Sequence, residues 1–416
     1  MAACFYLAFL DLMKALPEAA RAAGKLVLPP WGMLTGVRPV KLVRQMAETG
    51  MTEALIEQKL LDYGVSPERV RLSLETWQNQ RDIISALSPE KISLYVSIPF
   101  CPSRCSYCSF VSHSIAEAGE LIPAYVDCLC REIRIYGDLI RVLHLKLDTV
   151  YIGGGTPTAI SAQQLAQIMD TLQSCMHLDG IREYTVEAGR ADTITREKLE
   201  VIRRYGADRI SINPQTLNDV VLHAIGRKHT AQQAVDAFQL ARFMGFDNIN
   251  MDLIAGLPQD TPDSFRNTLD RVIALEPESV TVHTLTLKRA ADLYAQGERQ
   301  IANPAAAMVD YSSSRLPAQG YQPYYLYRQK NTLENLENVG YAKPGYESLY
   351  NILIMDETQT IFGAGCGAST KLVCPEGKIT RIRNYKFPYE YIGQFDALME
   401  KKEQIRRIME GADYGV

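Results

Sequence analysis

The chain has 416 residues, 44 Lys and Arg against 48 Asp and Glu, and a formal net charge of −4. With 47% hydrophobic and 22% charged residues it reads as an ordinary globular chain, long enough for two or three domains or for one α/β barrel with additions. The mild acidity argues against a broad nucleic-acid footprint; the apolar run 1–10 is too short to span a membrane and lacks the basic flank of a signal peptide; and nine Cys at low density read as reduced thiols or metal ligands in a cytoplasmic protein.

Residues 1–90 are expected to be mainly helical. Leu55, Leu60, Leu61, Val65, Val70, Leu72 and Leu74 recur at helical spacing, with breaks at Pro29-Pro30-Trp31-Gly32 and Gly36-Val37-Arg38-Pro39. At Ile92 the period changes to two: Ile92, Leu94, Val96 and Ile98 alternate with Ser93, Tyr95 and Ser97, a strand stopped by Pro99. Further strands are expected at 148–152, 184–187, 209–212, 249–254 and 279–283. Helical spacing fills 120–143, 161–176, 195–205, 216–243 and 262–275. Six strand-then-helix units predict an α/β fold, a partly open (β/α)6 barrel over 91–290 with its chemistry at the C-terminal strand ends. Residues 291–416 form a following α/β region, with an aromatic strand at 321–327, small strands within 361–373 and a terminal helix over 388–410.

The sharpest chemical feature is Cys101-Pro102-Ser103-Arg104-Cys105-Ser106-Tyr107-Cys108, three thiols spaced C-x3-C-x2-C directly after the first strand. Thiolates favour iron–sulfur clusters or zinc. In a four-iron cluster, three local thiolates leave one iron open to a small molecule. A structural zinc is the rival reading, although His113 and Cys128 fall at no conventional spacing for a fourth ligand.

Tyr95-x-x-Ile98-Pro99-Phe100-Cys101-x3-Cys105-x-Tyr107-Cys108-x-Phe110 resembles the cluster loop of radical SAM enzymes of the oxygen-independent coproporphyrinogen III oxidase family, and Gly153-Gly154-Gly155-Thr156-Pro157-Thr158 resembles that family's loop after the second strand. Residues 209–230 and 250–258 are similar to it too. The phrases 30–39, 327–331 and 338–342 resemble the HemZ-type coproporphyrinogen dehydrogenases in particular, so the likeness covers about 29–390. That resemblance implies a [4Fe-4S] cluster on Cys101, Cys105 and Cys108, and S-adenosylmethionine chelated at the open iron. It implies one cofactor molecule, or two in some such enzymes. Reduction then gives an adenosyl radical, with the protein orienting the cofactor. The same resemblance places Tyr95, Tyr107, Gly153, Gly154, Gly155, Thr156, Glu187, Gln215, Arg227 and Asp252 near the cofactor. The glycines, without Cβ, are expected to admit its methionine part. Glu187 is expected to hold a ribose or ammonium. Asp252, a charge in an apolar strand, needs a partner, for which Arg227 is a candidate.

The activity so implied is oxidative decarboxylation of coproporphyrinogen III propionates to vinyls in anaerobic haem synthesis. Its partners are a tetrapyrrole substrate and an electron donor such as flavodoxin or ferredoxin. Arg38, Arg190, Arg328 and Lys330 are candidates for the substrate carboxylates by motif position alone. Phe110 stands where a family oxidase carries another Cys. This keeps two alternatives open: a radical SAM methyltransferase that opens haem, and a haem carrier or chaperone. Other features read as structural. Gly363-Ala364-Gly365-Cys366-Gly367-Ala368 fits a dinucleotide pattern but precedes an expected strand at Lys371. Cys128, Cys130, Cys366 and Cys374 are structural thiols. Lys401, Lys402, Arg406 and Arg407, interrupted by Glu403, read as a solvated helix face.

Overall fold

The computed structural model describes residues 29–36, 38–108, 113–286, 305–374 and 378–411. The alternation after Ile92 forms β1 (Lys91–Ile98). It is followed by β2 (Lys146–Gly154), β3 (Glu183–Gly189), β4 (Arg209–Gln215), β5 (Ile249–Ala255) and β6 (Ser279–Thr284). These six pair in parallel in sequence order. Each crossover therefore returns on the same outer face, as a curling βα sheet requires. In β1, Ile92, Leu94, Val96 and Ile98 are all fully buried and join the apolar core, whereas Tyr95 faces the opposite way into an internal cavity. Tyr151, Glu187, Ser211, Asp252 and His283 on the following strands line the same cavity. The barrel interior is thus polar and the core lies between sheet and helices.

Before the barrel come α1 (Pro39–Glu48), α2 (Glu53–Asp62) and α3 (Pro67–Ser85). Its outer helices are α4 (Ile122–Val142), α5 (Ala162–Cys175), α6 (Arg196–Arg204), α7 (Asp219–Ala224), α8 (Ala231–Phe243) and α9 (Pro262–Ala274). Their starts are written locally: Ser161 with Gln164, and Thr230 with Gln233, form complete capping boxes, and Pro opens α1, α3 and α9. The stretch 216–243, read as one helical segment, is two helices. The chain breaks at Gly226 (φ +76°) and restarts at the Thr230 cap.

After α10 (Ala305–Arg315), the C-terminal residues complete the sheet instead of standing apart. The strand β7 (Gln322–Arg328) pairs with β8 (Glu337–Ala342), which joins β6 antiparallel. After α11 (Leu349–Asp356), β9 (Ile361–Ala364) adds to the free edge of β1 in parallel, and β10 (Ser369–Val373) and β11 (Ile379–Arg383) follow antiparallel. The result is one eleven-stranded sheet, ordered β11-β10-β9-β1-β2-β3-β4-β5-β6-β8-β7. Lys371 is in β10, so the glycines at 363–367 open no dinucleotide-binding helix. The strand β7 is covered by α3, whose Asn79 and Gln80 amides donate to Pro323 O and Tyr324 O, while Trp31 Nε1 donates to Glu337 in β8 at 2.7 Å. The terminal helix α12 (Phe395–Met409) corrects one expectation. Lys402 is not solvated: it is 1% exposed and paired with Glu132 of α4 at 2.8 Å. Among the described residues no helix is long and apolar enough to cross a membrane.

Candidate functional site

At the C-terminal ends of the barrel strands lies a cavity of about 470 Å³. Tyr95, Tyr107, Gly154, Gly155, Thr156, Glu187, Gln215, Arg227 and Asp252 line it together with Cys101, Cys105 and Cys108. Gly153 is the exception among the sequence candidates. It sits behind the surface, where a Cβ would meet Tyr151 Cε1 at 2.9 Å and Glu187 Cδ at 3.0 Å.

The cysteine loop is pinned from several sides. Gly155 N and Thr156 N donate to Ile98 O and Phe100 O, each at 2.8 Å, and Ser106 N donates to Ile225 O at 3.1 Å. Cys101 Sγ lies 3.4 Å from Thr156 Oγ1. The buried Arg190 donates to Ser103 O and Oγ, both at 3.0 Å, and its Nη1 lies 3.9 Å from Cys105 Sγ. The rest of its guanidinium clamps Asp192 at 2.9 and 2.7 Å. Burial works against the Asp192 charge, but hydrogen bonding to His229 and Arg190 holds its carboxyl well below the usual range. Among the described residues no three His, Cys, Asp or Glu converge on one metal ion. Cys101, Cys105 and Cys108 line one cavity mouth, and three thiolates so placed suit a cluster, in which each binds a different iron.

The glycine turn is closely packed by the rest of the protein. At Gly154 (φ +113°) a Cβ would meet Ser97 Oγ at 2.9 Å and Ile98 N at 3.0 Å. At Gly155 it would meet Phe100 O at 2.7 Å and Cys101 Sγ at 3.1 Å. The close neighbours are atoms of β1 and of the cysteine loop, so the turn packs against the loop it supports.

Beside this turn the Glu187 carboxyl accepts from Tyr151 Oη at 2.6 Å. Burial pushes it up to about 7. Tyr95, Tyr151 and Tyr350 stack into an aromatic wall, with the last two rings 4.5 Å apart. Across the cavity, Arg227 Nη1 donates to Asn213 O at 2.5 Å and Nη2 to Tyr107 Oη at 3.2 Å. Arg227 Nε and Gln215 Oε1 are buried without hydrogen-bond partners, and Gln215 holds φ +66°. Two orphaned polar atoms aimed at one cavity suit a polar ligand.

Arg227 is not the partner of Asp252. Asn250 Nδ2 donates to Asp252 Oδ1 at 2.7 Å, and His283 Nε2 lies 3.7 Å from Oδ2. Burial opposes the Asp252 charge, yet bonding to His283 and Asn250 lowers its carboxyl below the ordinary value. His283 Nδ1 in turn lies 3.2 Å from Tyr327 Oη. His283 escaped the sequence reading as a site residue. Its signal was an imidazole at an inward position near the C-terminal end of a barrel strand.

Of the four cationic candidates only Arg190 lines the cavity. Arg38 pairs with Glu357 at 3.0 Å, Arg328 lies over the Trp31 ring and donates to Leu34 O, and Lys330 is exposed. Phe110 lies outside the described residues.

Residues 95–272, from β1 through α9, match the model of the Radical SAM superfamily. The oxygen-independent coproporphyrinogen-III oxidase-like protein HemZ of Bacillus subtilis (strain 168) is 41% identical over 380 residues, which are 89% of this chain and 76% of that protein. The heme chaperone HemW of Lactococcus lactis is 32% identical over 282 residues, 67% of this chain and 69% of that one. Among solved structures, the Escherichia coli coproporphyrinogen III oxidase HemN, described as a radical SAM enzyme, aligns with a TM-score of 0.59 at 23% identity. That alignment covers 77% of this chain and 72% of that one, and is a likeness of fold.

Proposed function

The chain belongs to the radical SAM superfamily, with the oxygen-independent coproporphyrinogen-III oxidase-like proteins of the HemZ kind, and from that premise we propose that it oxidatively decarboxylates coproporphyrinogen III propionates to vinyls. In this reading Cys101, Cys105 and Cys108 hold a [4Fe-4S] cluster. Tyr95, Tyr107, Gly154, Gly155, Thr156, Glu187, Gln215 and Arg227 hold S-adenosylmethionine. When bound, that pair supplies one-electron hydrogen-abstraction chemistry.

The chain's own residues divide the remaining work. Glu187, whose carboxyl burial raises to about 7, is only partly ionised at neutral pH and is ready to ionise fully against an arriving ammonium. Arg227 and Gln215 line the cavity, and Arg227 Nε and Gln215 Oε1 lack hydrogen-bond partners among the described residues. The stacked Tyr95, Tyr151 and Tyr350 supply an apolar wall for the pyrrole rings of the macrocycle and exclude water. The chain Tyr327 Oη–His283–Asp252 Oδ2 can hold a proton at the imidazole.

The observation that carries the reading is that the cysteine loop and this aromatic wall open into the same cavity. The test is anaerobic incubation with coproporphyrinogen III, S-adenosylmethionine and a flavodoxin or ferredoxin reductant. The expected product shows successive losses of about 46 mass units, carbon dioxide plus two hydrogens per vinyl. Cofactor cleavage with no such loss and tight haem binding would instead make this a carrier, as the HemW relatives are named. A methylated, ring-opened tetrapyrrole would make it a methyltransferase.

A further inference from the structure

Three lysines and arginines line the cavity: Arg190, Arg227 and Lys371. The first two are committed. Arg190 is divided between Asp192 and Ser103, and Arg227 between Asn213 and Tyr107. Lys371, on β10, forms no salt bridge among the described residues. Its cross-strand partner on β9 is Ile361, which packs with Tyr151 and Tyr350, so the ammonium stands at the edge of the aromatic wall. Behind it, Arg38, Lys41 and Arg381 share one carboxylate, Glu357, at 3.0, 3.0 and 2.6 Å, and neighbouring Asp356 is taken by Arg44 at 2.7 Å. Four cations therefore surround a carboxylate that three of them already occupy. Burial first, and then Arg38, push the Lys371 ammonium down to about 8. A half-buried cation in a cationic field gains most from an anion.

We propose that Lys371, backed by Arg38, Lys41 and Arg381, is the carboxylate-binding corner of the cavity and takes a peripheral propionate of the macrocycle lying on the tyrosine wall. This rests on the porphyrinogen reading above, and it assigns Arg38 a supporting role in the field in place of direct contact with the ligand.

The probe is coproporphyrin III, the air-stable tetracarboxylate, titrated by its fluorescence into wild-type protein, Lys371→Met and Lys371→Arg. Lys371→Met keeps the side-chain stem and loses the charge. It should weaken binding about tenfold, as expected for one charge-assisted pair, whereas Lys371→Arg should stay within about threefold of wild type. The uncharged tetramethyl ester separates charge from packing, and its affinity should be the same for wild type and Lys371→Met. Equal coproporphyrin affinity in wild type and Lys371→Met overturns the site, as does an equal loss for the ester. If wild type binds neither compound, the porphyrinogen reading itself falls and this assignment with it.

Discussion

Glu187 illustrates how one inward position of a strand acquires its chemistry. The alternation of β3 turns Val186 into the core and Glu187 into the barrel, where Tyr151 Oη donates to it. The carboxyl is raised to about 7 by burial from an ordinary 4.5. Its effect on folding has a definite sign. Below about pH 4.5 it is neutral in both folded and unfolded chains. As pH rises, the unfolded chain ionises first and stability falls until the folded carboxyl ionises near 7. The loss is about 3 kcal/mol. Glu187→Gln should therefore be as stable as wild type at pH 4.5 and more stable at pH 7, measured on cofactor-free protein by urea unfolding. A constant difference between the two proteins across that range would show that burial does not control this carboxyl. The triple glycine was legible as a special turn, because only glycine tolerates φ +113° without strain. What packs against it was not legible, since Ser97, Ile98 and Phe100 reach it from another part of the chain.

At the scale of elements, α12 shows how a charge count misleads. Lys401 and Lys402 look alike in sequence, yet Lys402 Nζ meets Glu132 Oε1 at 2.8 Å, Tyr136 Oη at 2.6 Å and Asn384 Oδ1 at 2.8 Å, all buried. Glu132 Oε2 accepts from Gly365 N at 2.7 Å and Tyr391 Oη at 2.6 Å. Every polar atom of the pair is satisfied, the condition under which a buried ion pair is tolerable. The network ties α4 and α12 to the turn 365–368, whose Gly367 and Ala368 line the cavity. Lys402→Met leaves Glu132 charged and uncompensated and should cost about 3–5 kcal/mol. Lys402→Met with Glu132→Met should recover part of that loss. Additive losses in denaturant unfolding would show that the two side chains do not act as a pair. The capping boxes of α5 and α8 were readable from sequence because their partners lie three residues apart. The break between α7 and α8 is a local event at a glycine that helical spacing overrode.

For the whole molecule, the apolar core lies between the sheet and its helices, and the cysteine loop lies at the barrel mouth. Cluster binding and folding are therefore separable. Replacing Cys101, Cys105 and Cys108 together by Ala should abolish bound iron and the brown chromophore, while the far-ultraviolet circular dichroism stays that of the wild type. A variant that still reconstitutes with four irons would refute the ligand assignment. A variant that unfolds would show that the loop is structural.

The sequence by itself determined the six βα units, because period-two and helical spacings are local and repeat in order, and it determined the Cys101–Cys108 loop, because all three thiols lie within eight residues. Most of the cluster and cofactor candidates it marked line the cavity, since βα folds place chemistry after strands and inward positions alternate. Only the tertiary structure decided that residues 322–383 extend both edges of the barrel sheet, since β9 meets β1 across more than 260 residues of chain. Only it paired Asp252 with His283, drew Arg38 away from the cavity to Glu357, and left Lys371 at the cavity with no ion-pair partner among the described residues. Those outcomes depend on which strands become neighbours, and strand order is a property of the folded sheet that no local spacing encodes.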